Sequence, residues 1–331
     1  MFSARQNLEQ FLTASKQPLK ITALTPDASI REYFRISWNE STGIACVYPE
    51  PFTSKEQPYL DVTNLFLLAE LPVAKIFDFS GEFGVIVQED FGDTILRDVL
   101  LESEFEKKEE LLNEAIELIA RIQAATAKAF ELDSIASRLK FDTEKLSWEL
   151  NFFKEHYFET YRRQPLTDAD NIALTAEFAA LAGELEQHAE VLCHRDFHAA
   201  NLMIDDAGNL RIIDHQDARI GAASYDLVSL LLDRVLQTPD KDWLEAKIKY
   251  FLAEREKLGL KQISFEDFLY DFRLQTIQRC LKAIGTFSYQ STVRGKTYFI
   301  QYIKPMFQIV LDAAAKLEKF PNLQKIVKVH R

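Results

Sequence analysis

The stretch HRDFHAANLMIDDAGNLRIID, residues 194–214, decides the fold class of this chain. Its second half predicts a β-hairpin, because the apolar segments 202–204 and 210–213 flank a turn-forming segment that contains Asp-Asp and Gly-Asn. A hairpin returns its far end close to its start, so Asn201 and Asp214 are predicted to lie side by side. Asp196, on the loop that precedes the hairpin, is expected near them.

Three such side chains predict phosphoryl transfer. Mg²⁺ is a hard cation that prefers oxygen ligands, so Asn201 and Asp214 are candidates to hold it against the phosphates. Asp196 is the candidate to orient the attacking hydroxyl and receive its proton. A loop with a few capping polar residues is the alternative, but the hairpin and the following Asp make a chance match rare. The residues therefore predict a magnesium-dependent kinase of a small molecule.

Several polar residues flank this constellation. His194 is predicted to hold the loop backbone by hydrogen bonds, whereas His198 either touches substrate or packs. Gln216 and Asp217 follow Asp214 and are candidate substrate contacts. Asp226 begins the next helix, either as an N-terminal cap or as an anchor for the catalytic loop.

Composition limits the possible partners. The 331 residues suffice for about two lobes. A formal net charge of −12 argues against a nucleic-acid partner and weakly favours a cationic substrate, although solubility alone explains it. Three isolated cysteines suggest neither a disulfide framework nor a zinc site, and they fit a cytoplasmic protein. Neither a signal peptide nor a membrane span is expected.

Hydrophobic periodicity changes along the chain. The first part is β-rich, with expected strands at 30–37, 44–48, 73–79 and 85–88 and a helix at 59–70. The remainder is mainly helical, with expected helices at 104–128, 147–161, 169–186 and from 241 onward. We therefore predict an α+β chain with a small β-rich N-terminal lobe, residues 1–89, and a large mainly helical C-terminal lobe, residues 90–331.

The segment HRDFHAANLMIDDAGNLRIIDHQDARIGAASYDLVSLL resembles the central motif of aminoglycoside phosphotransferases and choline kinases. Within that superfamily the chain is most similar to the anomeric sugar kinases acting on N-acetylmuramate and N-acetylglucosamine. The supporting segments are PDASIREYFRI, VIVQEDFGD and IQRCLKAIGTFSYQSTVRGKTYF. The resemblance implies a protein-kinase-like two-lobed fold and an ATP- and Mg²⁺-dependent sugar kinase of cell-wall recycling, with a small-molecule sugar as its partner.

The resemblance also implies residue roles. It makes Asp196 the catalytic base and Asn201 and Asp214 the Mg²⁺ ligands. Adenine would meet the backbone of a hinge formed by Gln88, Glu89, Asp90 and Phe91. The turn at 27–31, with Ser29 and Arg31, would lie over the phosphates.

The chain departs from the wider superfamily on the nucleotide side. It has no Gly-rich loop, and the strand expected at 44–48 lacks the lysine that normally contacts the phosphates. Arg31 and Arg35 are four apart in a predicted strand and should share one side, so either could meet phosphate charge. Solvent-facing arginines are the alternative.

The acceptor side is less defined. Glu149, Phe153 and His156 share a helix face and either roof the acceptor site or pack in the core. For a sugar, Glu149, Gln216 and Asp217 are the expected polar contacts. A cationic acceptor such as an aminoglycoside, choline or ethanolamine is a second hypothesis. A non-catalytic pseudokinase is the third, suggested by the missing lysine. Monomer and homodimer both remain open.

Overall fold

The computed structural model describes residues 3–24 and 31–330, which form two compact units. The first unit contains the described residues of Met1–Ser103 and Ala199–Asp217, and the second contains those of Glu104–His198 and Ala218–Arg331. The predicted lobes divide the chain once, after residue 89, whereas these units divide it after residues 103, 198 and 217. The hairpin segment therefore packs with the first unit, and the functional lobe boundary at residue 89 stays a prediction.

The elements follow one another as an N-terminal mixed region and a mainly helical remainder. The strands are β1 (Ile21–Leu24), β2 (Glu32–Trp38), β3 (Ser41–Val47), β4 (Ile76–Ser80), β5 (Val85–Glu89), β6 (Ala189–Cys193), β7 (Leu202–Ile204), β8 (Leu210–Ile212) and β9 (Arg219–Ala222). The α-helices are α1 (Ala4–Ala14), α2 (Pro58–Leu68), α3 (Leu96–Glu102), α4 (Phe105–Ala124), α5 (Thr126–Glu131), α6 (Ile135–Arg138), α7 (Thr143–Phe153), α8 (Asp168–Gln187), α9 (Tyr225–Leu232), α10 (Lys241–Lys257), α11 (Phe265–Thr292), α12 (Ile300–Leu317) and α13 (Pro321–His330).

An antiparallel sheet in the order β1-β2-β3-β5-β4 forms the framework of the first unit. Alternate residues of β2 face opposite sides, and the side with Phe34, Ile36 and Trp38 is buried against α1. Strands β2 and β3 pair as an antiparallel hairpin, with Glu32 opposite Val47. Its turn is limited to Asn39 and Glu40, whose positive φ angles of 44° and 67° suit a tight hairpin.

The hairpin of β7 and β8 is confirmed, with Leu202 opposite Ile212. Strands of three residues are marginal alone. Here both edges are paired within the first unit. The Ile204 N–H donates to the Thr94 carbonyl at 2.9 Å, and the Ile212 N–H donates to the Pro72 carbonyl at 2.8 Å. These bonds hold the outer edges of both strands, and the candidate ligands lie beyond the open end of the hairpin.

The second unit is built around the 28-residue helix α11, which packs against α7, α9 and α12. Its approach to α7 is close at Gly285, where an added Cβ would lie 2.7 Å from the Phe153 Cα. A glycine is therefore required at that crossing. Strands β6 and β9 pair beside these helices and carry the chain into and away from the loop at 194–198.

Two predicted helices differ from the observed ones. The helix expected at 104–128 ends at Ala124, and α5 follows directly. The helix expected at 147–161 begins earlier, because the Asp142 side chain caps it by accepting from the Lys145 N–H at 2.7 Å. From Lys154–Tyr161 it continues as a π-helix, a wider turn often found at functional sites. In the described residues no helix is both long and apolar enough to span a bilayer.

Candidate active site

Asn201 and Asp214 lie side by side in the first unit, at the two ends of the hairpin. The Asn201 amide nitrogen is 3.5 Å from Oδ2 of Asp214, and the Ile213 N–H donates to the Asn201 carbonyl at 3.1 Å. Asp214 has a φ of 60°, a left-handed conformation that Asp tolerates better than most residues. The adjacency that the hairpin predicted is therefore present, whereas the metal-ligand role stays a prediction.

The other carboxylate oxygen of Asp214 is held by two donors. Arg31 Nη2 donates to Oδ1 at 3.3 Å, and Gln216 Nε2 donates to the same atom at 2.9 Å. The Arg31 guanidinium lies 5.7 Å and 5.8 Å from the ring centres of Tyr33 and Tyr48. Gln216, predicted as a substrate contact, thus orients Asp214 in this structure, and any substrate contact stays a prediction.

The Asn201 and Asp214 pair has the donor chemistry that Mg²⁺ uses. This ion is commonly bound by one or two protein oxygens together with waters and substrate phosphates, rather than by an all-protein cage. The described residues contain no cluster of three His, Cys, Asp or Glu side chains suited to a metal. An amide oxygen and a carboxylate at one edge fit a phosphate-assisted Mg²⁺ site rather than a structural metal centre.

Arg31 and Arg35 were predicted to lie on one side of a strand, where either could meet phosphate charge. In the structure they bond different carboxylates. Strand β2 begins at Glu32, so Arg31 precedes it and reaches Asp214. Arg35 instead donates to Asp90 at 2.7 Å and to Asp93 at 2.8 Å. Their side chains are 14% and 26% exposed, so neither is a freely solvated surface arginine.

The predicted hinge residues engage their side chains inside the first unit. The Tyr59 hydroxyl donates to Gln88 Oε1 at 2.5 Å, and Arg211 donates to Glu89 Oε1 at 3.1 Å. The Arg211 guanidinium also lies 4.3 Å from the centre of the buried Phe91 ring. Asp90 is held by Arg35. These contacts fix the hinge, and the predicted backbone contact with adenine is untested. Ser29 lies outside the described residues.

Asp196 belongs to the second unit, where cations surround it. Lys282 Nζ donates to its Oδ1 at 2.8 Å, and Arg279 Nη2 donates to the same oxygen at 3.1 Å. Burial alone would raise the pKa of Asp196, but the charges of Lys282, Arg195 and Arg279 outweigh it and hold the pKa well below its ordinary value. Asp196 is therefore ionised and fixed in orientation at neutral pH.

The loop that carries Asp196 is anchored by Asp226. The backbone N–H groups of His194 and Arg195 donate to the two Asp226 oxygens at 2.7 Å and 3.0 Å. These bonds support the left-handed φ of 86° at Arg195. His194 Nδ1 accepts the Asp196 N–H at 3.3 Å. Asp226 is fully buried, and its contacts are those of a loop anchor rather than an N-terminal cap.

The structure adds residues that sequence reasoning did not assign. Arg279 bonds not only Asp196 but also Ser229 Oγ and Asp233 Oδ2, each at 3.0 Å. Arg279 and Lys282 are three residues apart on a helix that is otherwise largely buried. Two cations one turn apart in a buried helix indicate a nearby carboxylate, because buried cations require partners. This pattern in the sequence could have identified both residues as contacts of the site.

Two predicted substrate contacts are buried in the second unit. Glu149 is 1% exposed, and its Oε2 accepts from Gln278 Nε2 at 2.8 Å. Phe153 is completely buried among aromatic side chains, namely Tyr157, Phe158, Phe178 and Phe307. Phe153 therefore packs the core, whereas Glu149 presents a charged group beside the Asp196 cluster. Asp217 is partly buried at the end of the first unit.

His198 is predicted to make stability fall on acidification. Its Nε2 is 3.4 Å from Arg234 Nη2, and burial, followed by this cation, lowers its pKa from 6.5 to about 4. The unfolded chain binds the proton first, so stability drops as pH falls from 6.5 towards 4. The free energy of unfolding can be measured by urea titration at a series of pH values. The His198→Asn variant should lose roughly 1–3 kcal/mol less of this free energy on acidification than the wild-type protein. If the free energy of unfolding depends on pH identically in both proteins, His198 is not the group responsible for this loss.

The chain is similar to proteins of known families. A model of the phosphotransferase enzyme family matches residues 20–260. An N-acetylmuramate/N-acetylglucosamine kinase of Neisseria meningitidis is 28% identical over 269 residues, covering 81% of this chain and 78% of that protein. A kinase of the same name from Pseudomonas aeruginosa is 26% identical, covering 94% of this chain and 88% of that one.

Solved structures resemble the chain in fold. Choline kinase LicA from Streptococcus pneumoniae superposes with a TM-score of 0.60 at 13% identity, covering 93% of this chain and 98% of that one. A Plasmodium vivax ethanolamine kinase gives 0.59 at 12% identity, covering 96% and 84%. These neighbours confirm the predicted kinase-like α+β fold, and the matched family confirms the resemblance found in the sequence.

Proposed function

Because the chain belongs to the phosphotransferase enzyme family, we propose that it transfers the γ-phosphoryl group of ATP to the anomeric hydroxyl of N-acetylmuramate or N-acetylglucosamine. The observation that carries this proposal is the ionised, oriented Asp196 at the start of the His194–Asn201 motif. The sugar assignment is supported by the names of the relatives, which cover most of this chain.

Asp196 is the proposed catalytic base. Its carboxylate accepts a hydrogen bond from the acceptor hydroxyl and receives the proton as the new oxygen–phosphorus bond forms. A low pKa makes it a weak base, so its main contribution is orientation of the hydroxyl, with proton transfer late in the reaction. Lys282 and Arg279 both donate to Oδ1 of Asp196, and Asp226 holds the loop.

The first unit supplies the nucleotide side in this proposal. Asn201 and Asp214 hold Mg²⁺, which when bound neutralises charge on the phosphates. Arg31 takes the part of the absent strand lysine, because it is the cation already bonded to Asp214 and its side chain is mostly buried. The hinge residues Gln88, Glu89, Asp90 and Phe91 offer backbone groups to adenine, and Ser29, outside the described residues, stays a predicted phosphate contact.

A cationic acceptor is less compatible with the charges around Asp196. An amine substrate would approach Lys282, Arg279 and Arg195, and like charges at such distances repel. The net charge of −12 favoured cations only as a property of the whole chain.

Three buried free cysteines are consistent with the cytoplasm, where ATP is available.

Release of ADP tests the proposal. Purified protein with ATP and Mg²⁺ should release ADP with N-acetylmuramate or N-acetylglucosamine and not with kanamycin or choline. The phosphorus resonance of the product should couple to the anomeric proton, which distinguishes a phosphate on C1 from one on C6. Turnover of the amines alone would overturn the sugar assignment, and nucleotide binding without any turnover would support a pseudokinase.

A further inference from the structure

Lys145 and Glu149 lie one turn apart on α7, in the second unit. The Lys145 ammonium is 3.8 Å from Glu149 Oε1, too far for a hydrogen bond. No acceptor lies within hydrogen-bonding distance of this ammonium among residues 3–24 and 31–330. Glu149 Oε1 is buried and likewise accepts no hydrogen bond from the described residues. Lys145 and Glu149 thus form a loose ion pair in which the partly exposed ammonium makes no hydrogen bond to the described residues.

Buried polar atoms without partners are costly and uncommon in native proteins. Glu149 is 1% exposed, and only its other oxygen is satisfied, by Gln278. Lys145 is partly exposed, with its ammonium 4.2 Å from the centre of the Trp148 ring. Trp148 is itself 56% exposed. A partly exposed cation and an exposed indole thus occur together on α7, a combination that suits a sugar with both polar and apolar faces.

Several cations lie around Lys145, although Glu149 and Asp196 partly offset them. Burial lowers the pKa of Lys145, and the charge of Glu149 opposes this effect. Three neighbouring cations lower the pKa further, namely Arg195, Arg219 and Lys282. Burial also lowers the pKa of Lys282, with Arg279 as the next contributor. An anionic ligand relieves this repulsion, whereas a neutral one does not.

We propose that Lys145 is a specificity-determining residue that binds the carboxylate of an acidic sugar acceptor, while the buried Glu149 positions the Lys145 ammonium. This inference rests on the proposed function. N-acetylmuramate carries a lactyl carboxylate that N-acetylglucosamine lacks, so Lys145 distinguishes the two. Trp148 packs against a face of the sugar ring.

Lys145→Met tests the proposal by the ratio of two substrates. We expect kcat/KM for N-acetylmuramate to fall about 10- to 100-fold, mainly through KM, because a charged hydrogen bond is lost. For N-acetylglucosamine the fall should be at most about threefold, since no carboxylate is present. Lys145→Arg should restore most of the preference for the acidic sugar. Lys316→Met, at an exposed position of α12 in the same unit, is the matched control and should leave both values unchanged.

Binding measured by calorimetry without ATP separates the two hypotheses. If wild-type protein binds N-acetylmuramate more tightly than N-acetylglucosamine and Lys145→Met removes that difference, the role of Lys145 holds whether or not turnover occurs. If wild-type protein phosphorylates the sugars but Lys145→Met changes both substrates equally or neither, the role of Lys145 is wrong while the proposed function stands. If neither sugar binds or reacts, both are wrong.

Discussion

Asp196→Asn lowers kcat of the sugar kinase reaction about 10³-fold, within the range expected for loss of a general base. The asparagine has the same shape, and its carbonyl oxygen can still accept from Lys282 and Arg279. It cannot receive the hydroxyl proton, and it removes the carboxylate that Lys282 bonds, whereas Arg279 keeps its ion pair with Asp233. We expect KM for the sugar to change much less than kcat, as measured by steady-state ADP release and by single-turnover phosphate transfer.

Asp168→Asn is the matched control for this variant. Asp168 is exposed in the first turn of α8, in the same unit, so the substitution makes the same chemical change away from the Asp196 loop. It should retain wild-type kcat. Thermal unfolding of both variants establishes that they are folded at the assay temperature. An Asp196→Asn protein with more than about one-tenth of wild-type kcat would sink the assignment of the base.

The catalytic segment was predictable because its geometry is local. The Asp-Asp-Ala-Gly-Asn turn fixes the hairpin within a dozen residues, so the adjacency of Asn201 and Asp214 required no knowledge of distant contacts. The paired edges of the hairpin, in contrast, depend on Pro72 and Thr94, more than a hundred residues earlier. Sequence reasoning identified the hairpin and not the contacts that hold it.

The cations around Asp196 could not be placed in the same way. Lys282 and Arg279 are more than eighty residues from Asp196, and only the packing of α11 brings them to it. The net charge of −12 weakly favoured a cationic substrate, but it describes the whole chain. The electrostatic field at Asp196 depends instead on a few partly buried groups. Long-range contacts and local fields thus required the structure.

The arginines of the first unit show a further limit. Their four-residue spacing predicts a common side only if both lie in one strand. The strand begins at Glu32, so Arg31 leaves that register and reaches Asp214, while Arg35 is held by Asp90 and Asp93. An error of two residues in a strand boundary therefore changes the assigned partner of a charged side chain.

Asp214→Asn is expected to lower kcat at least about 100-fold and to raise the Mg²⁺ concentration that gives half-maximal rate. Asparagine tolerates the left-handed φ of 60° at this position, so the hairpin should keep its conformation. The variant removes one negative charge from the proposed Mg²⁺ ligands and leaves Arg31 without its carboxylate partner. The measurement is ADP release across a Mg²⁺ titration at saturating sugar.

Asp206→Asn supplies the comparison within the same hairpin, because Asp206 is exposed in the turn between β7 and β8. It should leave both kcat and the Mg²⁺ dependence unchanged. A larger Mg²⁺ requirement for Asp214→Asn alone would link the metal to this carboxylate rather than to general surface charge. If Asp214→Asn instead loses rate with an unaltered Mg²⁺ dependence, the carboxylate acts through Arg31 and Gln216, and the metal ligands must be sought elsewhere.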